Sequence, residues 1–167
     1  TFGDFAASLS YSQQAKVYEA AGAGLAYMSV RYMYHSLTLL ALYPDASPSE
    51  KQQYRKIIAY NQEITRIWAR HAPQNFQHKF DLVAAEQARG WGNPWQAVQG
   101  YEQAIAGART NGYLQEEALA WELAGHFYHA QGMETIAATY LQEAVYSYQR
   151  WGAWGKVSLL VRQYPQW

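Results

Sequence analysis

Apolar residues recur every three or four positions along most of the chain, and no segment alternates apolar and polar residues as a half-buried strand does. Spacings of three and four place side chains on one face of an α-helix. The pattern therefore predicts an all-α fold. The predicted helices cover 4–21, 24–43, 48–70, 75–90, 94–110, 114–131, 134–150 and 154–163.

Two helix starts are marked by capping residues. Ser47 precedes Pro48, and Glu50 follows three positions after the serine. Asn93 and Gln96 repeat this arrangement around a second proline. In such a capping box the first side chain accepts from an orphan backbone N–H, and the later side chain accepts from the backbone N–H of the cap. We expect a capping box at both places.

Four glycines stand at the ends of apolar-periodic segments, where a residue with positive φ ends a helix at little cost. They are Gly92, Gly112, Gly132 and Gly152, which are twenty residues apart. One helix with its turn therefore takes about twenty residues, and a helix pair takes about forty. A fixed period of this kind predicts an α-solenoid of about eight helices in antiparallel pairs.

The second half of the chain carries a packing signature on two successive helices. A large aromatic is followed by a small pair and a second aromatic, and the next helix has a large apolar residue between two alanines. These residues are Trp121, Ala124, Gly125, Tyr128, Ala137, Leu141 and Ala144. Their spacing resembles the tetratricopeptide (TPR) repeat. The small residues let two helix backbones approach while the large ones fill the surrounding space.

The repeat is degenerate elsewhere. The preceding copy has Asp81, Ala84, Ala85 and Ala88 at the corresponding positions, and the forty-residue period exceeds the usual TPR period of about 34. We therefore expect one TPR-like domain over 1–167, with a degenerate part over 1–72 and clearer pairs over 73–167. Because the chain starts at Thr1 and its first methionine is Met28, we expect a fragment of a larger protein.

A narrower resemblance covers residues 75–165. The segments 104–132, which includes NGYLQEEALA at 111–120, and 140–165, which includes WGA at 151–153, resemble the helical region of bacterial multidomain signalling kinases. That family combines a Ser/Thr kinase, an AAA-type ATPase, a TPR-like region, a GAF domain and a histidine kinase. The resemblance implies a cytoplasmic role in signal transduction.

Composition excludes several kinds of chemistry. The chain has no cysteine, so disulfides, thiolate metal sites and cysteine nucleophiles are absent. Thirteen basic residues balance thirteen acidic ones, so no overall charge attracts nucleic acid or anionic lipid. Neither a phosphate-binding loop nor a Gly-x-Ser-x-Gly elbow is present. Glu116 and Glu117 are adjacent, and we assign them to the dipole of a helix start and not to catalysis.

One helix carries Glu122, His126 and His129 on a single face. Three interpretations are open: a metal site, a merely solvated polar face, or the lining of the concave groove of a TPR-like array. We disfavour metal because a closed site needs four ligands. The groove interpretation adds three residues from the preceding pair, Lys79, Glu86 and Arg89, as partner contacts.

Aromatic residues make up 16% of the chain, and most lie at helical spacing among alanine and leucine. They indicate helix packing. Four tryptophans lie near predicted helix ends or the terminus and are expected to be exposed: Trp91, Trp95, Trp154 and Trp167.

These observations predict a non-catalytic protein-interaction or coupling domain of a multidomain kinase. The alternative is a helical repeat domain that senses a peptide or small molecule and regulates an attached ATPase. We expect no cofactor and no metal, a protein partner, and neither nucleic-acid nor membrane binding. The oligomeric state and the identity of the partner stay open.

Overall fold

The computed structural model describes residues 3–16 and 27–166. Within them the chain forms eight helices and no strand, which confirms the all-α prediction. The helices are α1 (Phe5–Lys16), α2 (Tyr27–Leu42), α3 (Pro48–His71), α4 (Pro73–Gly90), α5 (Pro94–Thr110), α6 (Leu114–Ala130), α7 (Glu134–Trp151) and α8 (Trp154–Gln163). The predicted end of the first helix and start of the second fall in 17–26, outside the described residues.

The last four interhelical turns share one backbone design. Gly92, Gly112, Gly132 and Gly152 all have φ between 72° and 82°, as predicted for helix stops. After each glycine, the next N–H donates to the carbonyl of the residue four positions before that glycine. For example, Asn93 N donates to Ala88 O over 2.8 Å. These bonds satisfy carbonyls at the end of each helix, so the turns close through their own backbone.

The two predicted capping boxes have different outcomes. At Ser47 the box is present, because Glu50 N donates to the serine hydroxyl and Ser47 N donates to the Glu50 carboxylate. At Asn93 the prediction is wrong, since that side chain makes no capping hydrogen bond. Asn93 has ψ of 71°, against 160° at Ser47. The glycine turn imposes this backbone, which is outside the extended conformation of a capping residue.

Consecutive helices pack against each other from α1 to α8, and α2 and α6 each also contact α4. Short turns such as 91–93, 111–113 and 131–133 bring the chain back beside the preceding helix. Two groups of buried apolar residues form the core. The larger extends from α2 to α7, and the smaller joins α6, α7 and α8.

The residues of the packing signature lie where α6 meets α7. A Cβ on Gly125 would lie 2.6 Å from Leu141 Cγ, so the two helices approach closely at this glycine. Trp121 is half-buried and packs edge-to-face on Tyr140. The other six residues are buried: Ala124, Gly125, Tyr128, Ala137, Leu141 and Ala144.

Three of the four tryptophans expected at the surface are exposed, namely Trp91, Trp95 and Trp154. Trp167 lies outside the described residues. Among the helices that the structure describes, none has the length and apolar character needed to cross a membrane.

Candidate functional site

A cavity of about 500 Å³ lies between the start of α1 and the helices α2, α4, α6 and α8. Leu37, Leu119, Leu123 and Phe127 give its wall a largely apolar character. A volume of this size is within the range of pockets that hold small organic ligands. The cavity is therefore the candidate functional site.

Four of the six predicted groove residues line this cavity, and two do not. Glu86 and Arg89 come from α4, and Glu122 and His126 come from α6. Two residues lie elsewhere: Lys79 and His129. The cavity thus brings together residues from helices that are adjacent in space but far apart in sequence. Whether they contact a partner stays a prediction.

Glu122 is buried and its charge is compensated inside the protein. Its Oε1 accepts from Lys156 Nζ over 2.5 Å, and its Oε2 accepts from the Tyr148 hydroxyl over 2.6 Å. Lys156 itself is only 2% exposed. Burial and the neighbouring carboxylate raise the pKa of Tyr148, so this phenol stays protonated and donates. Glu122 therefore joins α6 to α7 and α8 and is not a solvated surface group.

Glu86 occupies a similar arrangement one helix pair earlier. Its Oε2 accepts from Arg89 Nη2 over 2.7 Å, and its Oε1 accepts from the buried Tyr101 hydroxyl. Burial and the adjacent carboxylate hold the pKa of Tyr101 well above its ordinary value. Arg89 is about a third exposed and lines the cavity. Glu86 and Glu122 thus each have a cation and a phenol as partners.

His126 is a half-buried wall residue without a charge at neutral pH. Burial lowers the pKa of its imidazole, an effect that outweighs the opposing influence of Glu122. Its Nε2 atom is buried and has no hydrogen-bond partner among the described residues. Nowhere in 3–16 or 27–166 do three His, Asp or Glu side chains converge as metal ligands would.

Tyr34 of α2 lines the cavity, and its hydroxyl is bonded to a residue at the start of α6. The hydroxyl accepts from Gln115 Nε2 over 2.8 Å. Burial, opposed by that hydrogen bond, raises the pKa of Tyr34 to about 12, so the phenol keeps its proton. Within the described residues no acceptor receives this proton. The phenol is consequently a donor that no acceptor of residues 3–16 and 27–166 uses.

Lys79 lies in a buried ion pair between α4 and α6. Its Nζ is 3.3 Å from Glu116 Oε1 and 2.9 Å from His78 Nε2, and it lies over the Tyr113 ring. Lys79 therefore links α4 to α6 inside the protein. The groove interpretation had placed it on the partner-binding surface instead. Glu117, next to Glu116, pairs with Arg109 of α5 over 2.7 Å. The two adjacent acids therefore link α6 to two different helices, beyond their favourable position in the helix dipole.

His129 lies at the end of α6, where its ring contacts Tyr164 and its Nδ1 is 3.1 Å from Glu134 Oε2. It is exposed and outside the cavity wall. His126 also contacts Tyr164, so the two histidines flank the same phenol from successive turns of the helix.

Sequence reasoning missed three residues of the site: Lys156, Tyr34 and Tyr148. A signal for the first was present. Val157 and Leu160 form the buried stripe of α8, and Lys156 falls beside them on that stripe. A lysine on an apolar stripe indicates a buried partner of opposite charge. No comparable signal separates the two tyrosines from the other tyrosines of the chain.

The chain matches no protein-family model, no curated protein and no solved structure.

Proposed function

We propose that this chain is a non-catalytic interaction and coupling domain of a multidomain signal-transduction kinase, built as a TPR-like α-solenoid. The packing signature, the forty-residue period and the recurrent glycine turn support this architecture. The family resemblance over residues 75–165 supports the kinase context. The recognition surface in this proposal is the cavity.

One observation carries the proposal: Glu86 and Arg89 of α4 and Glu122 and His126 of α6 converge on one concave cavity. Helices of successive pairs lining a shared concavity are how repeat proteins form binding surfaces. The paired charges fix the shape of the wall, because each ion is held by a neighbouring helix or turn. A preformed wall favours binding because fewer side chains lose freedom when a partner arrives.

The test is site-specific photocrosslinking of the protein in its native cells. A photoreactive amino acid replaces Ala130, which lies at the cavity rim, or Gln103, which is exposed on α5 and outside the wall. We expect the Ala130 position to give an adduct with one defined protein segment, identified by mass spectrometry, and Gln103 to give none. Equal adducts at both positions, or none at Ala130, would reject the cavity as the protein-binding surface.

A second candidate function is small-molecule sensing, and the size of the cavity favours it. Five helices contribute to the wall of this cavity of about 500 Å³, a volume within the range of pockets that hold small organic ligands. Native mass spectrometry of the purified chain, compared with its denatured mass, tests this function. A bound organic molecule supports sensing. A bare chain that also binds no molecule from a metabolite library argues against it.

A further inference from the structure

Four of the five charged side chains around the cavity cancel in pairs. Glu86 is bonded to Arg89, and Glu122 is bonded to Lys156. The fifth is Asp4 at the start of α1, which is exposed and whose Oδ1 accepts from Ala7 N. An anionic ligand would approach three carboxylates, and a cationic one would approach the arginine and lysine. Breaking either buried pair to serve a ligand would leave its partner ion uncompensated. The wall therefore favours a ligand without net charge.

The remainder of the wall is mainly apolar. It includes Phe5, Leu37, Leu123, Phe127 and Leu159, which come from four different helices. Apolar surface contributed by four of the five helices favours a ligand body that buries hydrocarbon. Such a body also leaves the two ion pairs undisturbed, since it makes no competing hydrogen bonds to them.

The Tyr34 hydroxyl supplies a polar contact. Gln115 occupies one lone pair of its oxygen and fixes the orientation of the phenol, while the proton has no acceptor among the described residues. A hydroxyl with one fixed partner and an unused proton is a directed donor. A carbonyl, ether or hydroxyl oxygen on the ligand would accept a hydrogen bond from this hydroxyl. The neutral His126 ring lies on the α6 wall and adds no charge that would compete for such an oxygen.

We propose that this cavity binds a neutral, mainly apolar small molecule with an oxygen acceptor, held by the O–H of Tyr34. The inference rests on the second candidate function, small-molecule sensing, and specifies the class of its ligand. Tyr34 is the specificity-determining residue, because it separates an oxygen-bearing ligand from a hydrocarbon of the same shape. The paired ions exclude charged molecules of the same size.

The experiment uses prodan, a neutral naphthyl ketone whose fluorescence changes in apolar surroundings. We expect saturable one-to-one binding that Tyr34→Phe weakens by about tenfold, the loss of roughly one hydrogen bond. Tyr60→Phe is the matched control, since Tyr60 is exposed on α3 and outside the cavity wall; it should leave the affinity unchanged. Neutral 2-acetylnaphthalene should displace prodan, whereas the anion 2-naphthoate should not.

A second variant keeps the test independent of the tyrosine. Ala130→Trp fills the rim of the cavity and should abolish prodan binding while circular dichroism stays helical. The proposal is overturned if prodan does not saturate, if either Tyr34→Phe or Ala130→Trp leaves its affinity unchanged, or if 2-naphthoate displaces it as well as the ketone does. These results leave the protein-interaction function untouched, because photocrosslinking at Ala130 tests that function without any small molecule.

Discussion

The Glu122 carboxylate shows how a single buried residue connects several helices. From α6 it accepts from Tyr148 of α7 and from Lys156 of α8. All three side chains are buried. A buried ion pair contributes little net stability compared with a well-packed apolar pair, but removing one partner leaves the other charge buried and uncompensated. The pair therefore fixes the position of α8 more than it adds to stability.

This geometry predicts an asymmetric mutational effect. Glu122→Ala should lower the free energy of unfolding by about 3–5 kcal/mol, because Lys156 then stays buried without its carboxylate. Replacing both partners, with Glu122→Leu and Lys156→Met, should recover most of that loss. Urea denaturation of the three proteins measures the effect.

Glu134→Ala is the matched control, since the Glu134–His129 pair is exposed and should change stability by less than about 1 kcal/mol. If Glu122→Ala costs no more than this control, Glu122 is hydrated in solution and the buried pair described above is incorrect.

Two helix pairs, α4 with α5 and α6 with α7, each pack closely at a glycine. The glycine lies on a different helix in each pair. Between α6 and α7 the small residue is Gly125, which faces Leu141. Between α4 and α5 it is Gly100, where a Cβ would lie 2.9 Å from Ala85 Cβ. Both pairs therefore have a close helix approach, but the glycine lies on the second helix in α4/α5 and on the first helix in α6/α7.

The Gly125 contact predicts that even a methyl group is costly there. In Gly125→Ala the new Cβ would meet Leu141 side-chain atoms and lie 3.3 Å from the Leu141 backbone nitrogen. Leu141 is buried and has little room to move, so we expect a loss of about 1–3 kcal/mol in unfolding free energy, and a larger one for Gly125→Leu.

Gly90→Ala provides the comparison, because a Cβ at Gly90 has no neighbour within 4 Å. This variant should be neutral or stabilising by up to about 1 kcal/mol, as alanine restricts the unfolded chain. Thermal unfolding distinguishes the two sites. Equal effects at both would contradict the alignment of the packing signature.

Most helices of the fold could be predicted from the sequence, because helix periodicity and glycine stops are local signals. The start and end of α5, at Pro94 and Thr110, match the predicted boundaries. Capping at Asn93 was not predictable from its residue type, because the preceding Gly92 turn determines the backbone there. Residue type shows which side chains are able to cap a helix. The backbone conformation of the preceding turn determines whether such a side chain is oriented for capping.

The site was predicted only in part, and the reason is that it is assembled from distant segments. Glu86 and His126 were placed by the repeat on the concave side, and both line the cavity. Lys79 was placed there by the same argument, but its position facing α6 gives it Glu116 as a partner. Tyr34 lines the cavity from α2 and is about ninety residues away from His126 in the sequence. No repeat pattern relates these two positions, so the sequence did not predict that they lie together.

The free energy of unfolding of the protein should decrease in mild acid, because buried histidines are neutral in the folded state. Burial, followed by the adjacent Lys79 cation, lowers the pKa of His78 from its ordinary value to about 3. Between pH 6.5 and 3 the unfolded chain therefore binds a proton that the folded chain excludes. The free energy of unfolding falls as the pH falls through this window, by up to about 1.4 kcal/mol per pH unit for that proton.

Urea midpoints measured between about pH 5 and pH 7 test this, because most carboxylates stay ionised there. The slope should be positive with increasing pH and should level off above about pH 6.5. His78→Phe should remove part of the slope, leaving the contribution of His126, whose pKa is also lowered. A wild-type midpoint independent of pH over this range would show that His78 is protonated in the folded chain.

The turn at Gly92, Gly112, Gly132 and Gly152 has a consequence for how such a chain can change its length. Each turn closes through hydrogen bonds that span six residues, so none depends on a distant part of the sequence. A gene duplication or deletion of one forty-residue unit would leave every remaining turn intact. The inserted unit would need only a matching apolar face toward its neighbours. In the solenoid that we propose, the number of repeats can therefore change in whole units without any change to the sequence of the turns.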